Sequence, residues 1–336
     1  MLNVSVIMPT YNRADLLLRA IRSVLPQLIE GDEVLVMDDG SSDHTAQVVQ
    51  KLGSPVRYFL LENGGPSRAR NVGMQHATGD LIAFLDDDDE WFPHKLTLQR
   101  AVMEAHPEVV LCFTNFTGQF RDGRQLPHAV LSWGQREKRW EKIFAASAPF
   151  SSIAPLPSGV ADFTVYTGSI YDRQMFDDYV LPSTQMVRKT PATRAVTFPE
   201  DLRFCESWAY SSAISALGPA AFLDVDTIIQ HDHFGPRLTG VDILKQTASR
   251  LTVLERQWGK DEAFLARHRP ELYARMDEER MLRIREFIAS SQPAFARQEL
   301  SQLHGGAPAV LRLLSALPRP AVQLMNFARA LLKGRR

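Results

Sequence analysis

Four consecutive aspartates, Asp86 to Asp89, follow the apolar run Leu81-Ile82-Ala83-Phe84-Leu85 and precede Glu90 and Trp91. Like charges packed this closely repel one another, so the arrangement asks for a cation. Hard carboxylate oxygens suit Mg2+ or Mn2+, and a Mg2+ site with one or two carboxylates borrows further oxygens from substrate phosphates. A solvated acidic turn is the alternative reading of the same residues. Two other clusters have the residue types for nucleotide chemistry. Asp38-Asp39-Gly40-Ser41 closes a second apolar run. A carboxylate there can accept hydrogen bonds from a base or ribose, although Asp-Gly is also ordinary turn chemistry. Gly64-Gly65-Pro66-Ser67-Arg68-Ala69-Arg70-Asn71 reads as a glycine turn opening a helix. Its N-terminus and guanidinium groups can hold a diphosphate, or can equally belong to a capped helix with exposed arginines.

The elements that must position these clusters alternate between strand and helix. Val4–Met8, Glu33–Met37, Val56–Leu61 and Leu81–Leu85 read as strands, the first stopped by Pro9. Between them, Asp15–Leu28, Thr45–Leu52 and Pro66–Ala77 read as helices, the first with apolar residues at helical spacing. This alternation predicts an α/β fold with a mostly parallel sheet and right-handed crossovers. Ligands of such sheets bind beyond the carboxyl ends of the strands, so the clusters at 9–13, 38–43 and 86–90 should converge on one edge. Further on, 118–160 reads as long loops, Ala161–Tyr171 and Thr184–Arg188 as strands, Pro199–Leu217 as a helix and Ala221–His233 as strand then loop. From Val241 the pattern is mainly helical, with breaks at Gly305-Gly306 and Pro318–Pro320.

A chain of 336 residues, 45% hydrophobic and 23% charged, can bury a large core in one or two domains. Its formal net charge of -1 gives no reason to expect nucleic acid. Two cysteines, Cys112 and Cys205, cannot form a disulfide framework and lack metal-ligand spacing, which fits a reducing compartment. Met1 leads directly into an apolar strand without a basic leader, and no apolar run is long enough to span a bilayer. A cytoplasmic protein, or one held on the inner face of a membrane, is expected.

Taken in order, "VSVIMPTYNR", "DEVLVMDDGSSD" and "GGPSRARNVGMQHATGDLIAFLDDDDEW" resemble the N-terminal half of the family 2 glycosyltransferases, closely over roughly residues 3–115. The resemblance implies a GT-A fold, an inverting reaction and a nucleoside diphosphate sugar as donor, UDP-linked by default. It implies a Mn2+ or Mg2+ cofactor and a nucleotide-sugar half joined to an acceptor half; with the helical pattern from Val241, the expected domains are 1–240 (nucleotide-sugar half 1–117, acceptor half 118–240) and 241–336 (helical). Pro9, Thr10, Tyr11 and Arg13 would line the nucleotide pocket, with Tyr11 against the base. Asp39 would bond the base, and Arg70 would lie near the nucleotide. Asp86 and Asp88 match the Asp-x-Asp element, the first near ribose and donor, the second on the metal; Asp87 and Asp89 are their neighbours. The metal would act as a Lewis acid on the departing diphosphate.

Relatives of this kind carry a Glu-Asp pair after "Phe-Asp-Glu-x-Leu-Arg". Here the stretch is Phe198-Pro199-Glu200-Asp201-Leu202-Arg203-Phe204-Cys205-Glu206-Ser207-Trp208, so Glu206 is the expected general base and Ser207 replaces the aspartate. A serine cannot act as that base at neutral pH without a partner. Glu200 and Asp201 are the fallback, with helix capping as their ordinary role. In Gln230-His231-Asp232-His233-Phe234-Gly235-Pro236-Arg237, His233 fits the family's histidine better than His231 and would join the metal or diphosphate. Beyond Glu299 every charged side chain is basic (Arg312, Arg319, Arg329, Lys333, Arg335, Arg336) amid many apolar residues. That pattern suits contact with an anionic membrane surface, and hence a glycan or lipid-linked acceptor of the cell envelope. A helical appendage packed on the catalytic domain is the plainer alternative. Two rivals remain: a nucleotide-sugar-binding protein without transfer, which Ser207 favours, and another metal-dependent nucleotide enzyme such as a nucleotidyltransferase or pyrophosphatase. No P-loop pattern occurs, and no dinucleotide glycine motif follows the first strand.

Overall fold

The computed structural model describes residues 1–132, 139–232, 242–306 and 308–323. The chain divides into two units, Met1–Asp201 with Glu206–Pro236, and Leu202–Cys205 with Arg237–Arg336. The first opens with β1 (Val4–Thr10), α1 (Ala14–Val24), β2 (Glu33–Asp38), α2 (Thr45–Gln50), β3 (Val56–Leu60), α3 (Pro66–His76) and β4 (Leu81–Phe84). It continues with β5 (Asp89–Trp91), α4 (Lys95–Ala105), β6 (Leu111–Gln119), β7 (Gln125–Leu126), α5 (Trp140–Ile143), β8 (Ala146–Pro149), β9 (Thr164–Gly168) and α6 (Tyr171–Gln174). β10 (Met186–Arg188), α7 (Pro191–Arg194), α8 (Glu206–Ser215) and β11 (Ala220–His231) complete it.

The strands lie in the order β3-β2-β1-β4-β10-β6-β11-β9-β8, with β5 paired to β11 and β7 to β6. β3, β2, β1 and β4 are parallel, as their helical connections require. β10 then inserts antiparallel between β4 and β6, and β6 runs parallel to β11. β1, β2 and β4 are buried along their whole length, which is why their sequences are continuous apolar runs rather than alternating ones. A Cβ at Gly73 would stand 2.6 Å from Ile7 Cγ2, so α3 can lie close on β1 only because residue 73 has no side chain.

Four expectations change in detail. β1 continues through Pro9 to Thr10. Ile7 and Thr10 direct their carbonyls to opposite neighbours, Ile7 to Leu85 and Thr10 to Asp39. By alternation the missing N–H of Pro9 faces the β4 side, where the ladder has already ended at the Ile7–Phe84 pair. α1 stops at Val24 and tightens into a 3-10 turn over Leu25–Gln27, because Pro26 cannot continue the helical ladder. The 118–160 segment holds short strands and turns, β7 joining β6 and β8 joining β9. α8 starts at Glu206 rather than near Pro199, because Cys205 takes a left-handed φ of 63°.

In the second unit, α9 (Ile243–Gln257), α10 (Glu262–Ala289), α11 (Pro293–Ser301) and α12 (Ala309–Ala316) gather around Ile284, Phe287, Ile288, Ala296 and Val322. Leu311 and Leu314 of α12 pack on that core, while Val310 and Leu313 are exposed. Among the described residues no helix is long and apolar enough to cross a membrane.

Candidate active site

The carboxyl ends of β1, β2 and β4 carry the clusters singled out above, and hydrogen bonds stitch them together. Asn12, with a left-handed φ of 52°, accepts from the Ser42 N–H at 2.7 Å, and its own N–H donates to Ser41 Oγ at 2.8 Å. Asp39 N–H donates to Thr10 C=O at 2.9 Å. The two carboxylate oxygens of Asp39 accept the N–H groups of Gly64 and Gly65 at 2.7 and 2.8 Å. Asp39 therefore clamps the glycine turn that opens α3. Each oxygen retains a second lone pair with which to meet a base. Pro9 is buried beneath this edge, while Tyr11 is 49% exposed.

The aspartates of the acidic turn are held by several neighbours, with Arg13 shared by Asp87 and Asp88. Asp86 Oδ1 accepts from Arg70 at 2.6 Å. Asp87 accepts from Thr10 Oγ1 at 2.8 Å and from Arg13 at 2.9 Å, and the same Arg13 nitrogen reaches Asp88 at 2.9 Å. Burial pushes the Asp87 carboxyl up to about 6; Arg13 opposes this and Asp88 adds to it. Asp89 is buried on Ser183 Oγ at 2.6 Å, and burial with its acidic neighbours holds its carboxyl well above the usual range. The Asp88 side chain keeps 24% exposure. Beyond the turn, Glu90 pairs with Arg19 at 3.1 Å and His231 at 2.7 Å, and Arg19 donates to the Asp88 carbonyl at 2.9 Å.

Arg70 extends the site to α8. Its buried guanidinium pairs with Asp86 at 2.6 Å, reaches Glu206 at 3.5 Å and lies 5.2 Å from the Phe198 ring centre. Phe198 stacks on Tyr210 at 3.9 Å and meets Phe84 edge-on, which ties α8 to β4. Burial raises the Glu206 carboxyl above its ordinary value, Arg70 opposes that, and Asp86 reinforces it. The fallback residue Glu200 is engaged elsewhere: Asn71 of α3 donates to it at 2.9 Å and also bonds both backbone groups of Phe198.

Pro9, Thr10, Tyr11, Arg13, Asp39, Arg70 and Asp86–Asp88 thus share one edge, with Glu206 joined through Arg70. His233 and Arg237 lie outside the described residues. Sequence reasoning missed Arg19, Glu90 and Ser183, and passed over His231. Ser183 has no local signal, since only the β4–β10 pairing brings it to the acidic turn. Among the described residues no three His, Cys, Asp or Glu side chains are arranged to hold a metal ion. An ion here would have to complete its shell from a bound ligand and water.

The family model for glycosyl transferase family 2 matches residues 5–180. An uncharacterized glycosyltransferase of Rickettsia felis is 44% identical over 103 residues, which is 30% of this chain and 17% of the relative. The GalNAc(5)-diNAcBac-PP-undecaprenol beta-1,3-glucosyltransferase of Campylobacter jejuni is 42% identical over 111 residues, 31% of this chain and 36% of the relative. The UDP-Glc:alpha-D-GlcNAc-diphosphoundecaprenol beta-1,3-glucosyltransferase of Escherichia coli is 44% identical over 103 residues, 30% of this chain and 40% of the relative. The chain matches well under half the length of each. Among solved structures, S. aureus TarS 1-349 with UDP-GlcNAc superposes with a TM-score of 0.60 at 20% identity, over 98% of this chain and 87% of that one. GalNAc-T7 with UDP, GalNAc and Mn2+ superposes with a TM-score of 0.55 at 17% identity, over 82% of this chain and 51% of that one. At these identities the likeness is one of fold, and the fold is GT-A.

Proposed function

The chain belongs to glycosyl transferase family 2, and we propose that it moves a hexosyl or N-acetylhexosaminyl group from a nucleoside diphosphate sugar, UDP-linked by default, to a hydroxyl of a glycan or lipid-linked acceptor in cell-envelope synthesis. The observation that carries this reading is the single buried guanidinium of Arg70 between Asp86 and Glu206. It sets a carboxylate of the donor side beside a second carboxylate whose proton affinity is raised by burial, as a general base requires. The Campylobacter and E. coli relatives are named for glucosyl transfer to undecaprenol-linked acceptors, and TarS was solved with UDP-GlcNAc. In this reading residues 1–117 serve the donor, 118–240 the acceptor, and 241–336 form a helical region.

Glu206 takes the proton of the acceptor hydroxyl as its oxygen bonds to the anomeric carbon. The bond to the donor's diphosphate oxygen breaks on the opposite face, inverting the configuration. A divalent ion, Mn2+ or Mg2+, supplies charge neutralisation to the departing diphosphate when bound. The donor set suits it: an Asp88 carboxylate that keeps 24% exposure beside buried acidic neighbours, with the remaining oxygens left to the diphosphate. Thr10 holds Asp87, and Arg13 bridges Asp87 and Asp88, so an ion on Asp88 would share that carboxylate with Arg13 or displace it. The basic residues after Glu299 and the exposed Val310 and Leu313 fit contact with the anionic cytoplasmic face of a membrane.

The second reading, donor binding without transfer, draws on Ser207, which follows Glu206 where the family resemblance leads one to expect an aspartate. A panel of nucleoside diphosphate sugars incubated with Mn2+ or Mg2+ separates the two. Release of a nucleoside diphosphate from one donor, absent with Asp88→Ala, supports transfer. Donor binding without release, even with lipid-linked acceptors present, favours the second reading.

A further inference from the structure

We propose that Ser183 is a positioning residue for the acidic turn, fixing where Asp88 stands for a divalent ion. The inference rests on the reading of Asp88 given above. Ser183 lies on the 3-10 turn Pro182–Thr184, just beyond the span matched by the family model. Its hydroxyl accepts the Asp86 N–H at 3.1 Å and donates to Asp89 Oδ2 at 2.6 Å. Its carbonyl accepts the Trp91 indole N–H at 3.3 Å. One residue therefore grips the turn at its first position, its fourth position and the tryptophan that closes it.

The sheet explains why it stands there. β10 pairs antiparallel with β4 in the register Met186–Ala83, Val187–Ile82 and Arg188–Leu81. Continuing that register past the strand ends brings Ser183 level with Asp86. The turn is anchored from behind as well, because Gln99 of α4 donates to the Thr184 carbonyl at 2.9 Å. Ser183 is only 1% exposed and its hydroxyl is used in both directions, so it acts on the ion through the acidic turn rather than by contact. Without the hydroxyl, the Asp86 N–H and the Asp89 carboxylate lose their partner inside the protein. With its first and fourth residues released, the turn rearranges to satisfy those groups, and Asp88 between them shifts.

The test is a Mn2+ titration of the full chain at saturating UDP, followed by the electron paramagnetic resonance signal of free Mn2+, alongside thermal unfolding in chelator. Ser183→Ala should raise the half-saturating Mn2+ concentration about ten-fold, the size expected at the low end for leaving a buried polar group without its partner. Ser183→Thr, which keeps the hydroxyl, should recover most of the affinity and keeps the test usable if the alanine variant does not fold. Thr184→Val is the matched control: its hydroxyl donates only to Leu181 C=O, at 2.8 Å, within the same turn. It should lower the unfolding temperature without moving the Mn2+ curve. Equal weakening by Thr184→Val and Ser183→Ala would overturn the proposal, since the effect would then be general loosening of the turn. An unchanged curve for Ser183→Ala would overturn it too. Asp88→Asn separates the two layers of inference. If it leaves Mn2+ binding intact, the reading of Asp88 fails; if it abolishes binding while Ser183→Ala does nothing, only the role of Ser183 fails.

Discussion

Replacing Arg70 with methionine removes one guanidinium from two carboxylates at once. At separations of 2.6 and 3.5 Å, and an effective dielectric of about 20, the two attractions are at most about 6 and 5 kcal/mol. Asp86 keeps 29% side-chain exposure and Glu206 keeps 15%, so solvent recovers part of that. Breaking a largely buried charge pair costs about 3–5 kcal/mol. At about 2–4 °C per kcal/mol for a unit of this size, the unfolding temperature should fall by roughly 10 °C. The diagnostic effect lies in the pH profile. Burial favours the protonated form of Glu206 and Arg70 opposes it. Without Arg70, Glu206 remains protonated to higher pH, and as the proposed base it should move the acid limb of kcat/KM upward. The assay is nucleoside diphosphate release across about pH 5–9, using the donor the native chain turns over fastest. The variant's deficit should be about ten-fold larger near pH 6 than near pH 8.5, because one pH unit below the base's pKa costs ten-fold in rate. Arg70→Lys, which keeps a charge but cannot bridge both carboxylates, should fall between. A uniform loss at every pH would refute the claim that Glu206 is the titrating base and that Arg70 governs it.

Two other outcomes follow from the same geometry. Burial opposes the ionised form of Glu33, yet hydrogen bonds from Thr78, Ser5 and Arg57 outweigh it and hold its carboxyl at about 2. Because the folded value is depressed, this stabilisation is complete above about pH 4.5 and is lost as pH falls toward about 2. Glu33→Gln should therefore cost about 3 kcal/mol in urea unfolding at neutral pH and much less near pH 3; a constant deficit would show the coupling to be wrong. Gly73→Ala places a methyl 2.6 Å from Ile7 Cγ2 and should destabilise the native state by about 1–3 kcal/mol by overpacking, also read by urea unfolding.

Much of this edge of the sheet was legible in the sequence because its signals are local. Continuous apolar runs mark β1, β2 and β4, since a strand buried on both faces has no polar side to alternate. The acidic run, Asp39 and Gly64-Gly65 each sit at a strand end or a helix start, and topology places those ends on one edge. The start of α8 was misjudged because Phe198 and Glu200 answer to Asn71, at separations of 127 and 129 residues. Cys205 contributes a left-handed backbone that no propensity reveals. The strands of 118–160 were missed because β7 and β8 are short and gain their order from partners, not from their own pattern.

The sequence by itself determined which chemical groups are present and that strand ends would gather them. Only the tertiary structure decided which carboxylate answers to which partner: Asp39 to two glycine amides, Asp86 to Arg70, Asp87 to Thr10 and Arg13, Asp89 to Ser183. Four adjacent aspartates are chemically identical in one dimension. They become different when α3 brings Arg70, the end of β1 and the residue before α1 bring Thr10 and Arg13, and the turn before β10 brings Ser183 within hydrogen-bond reach.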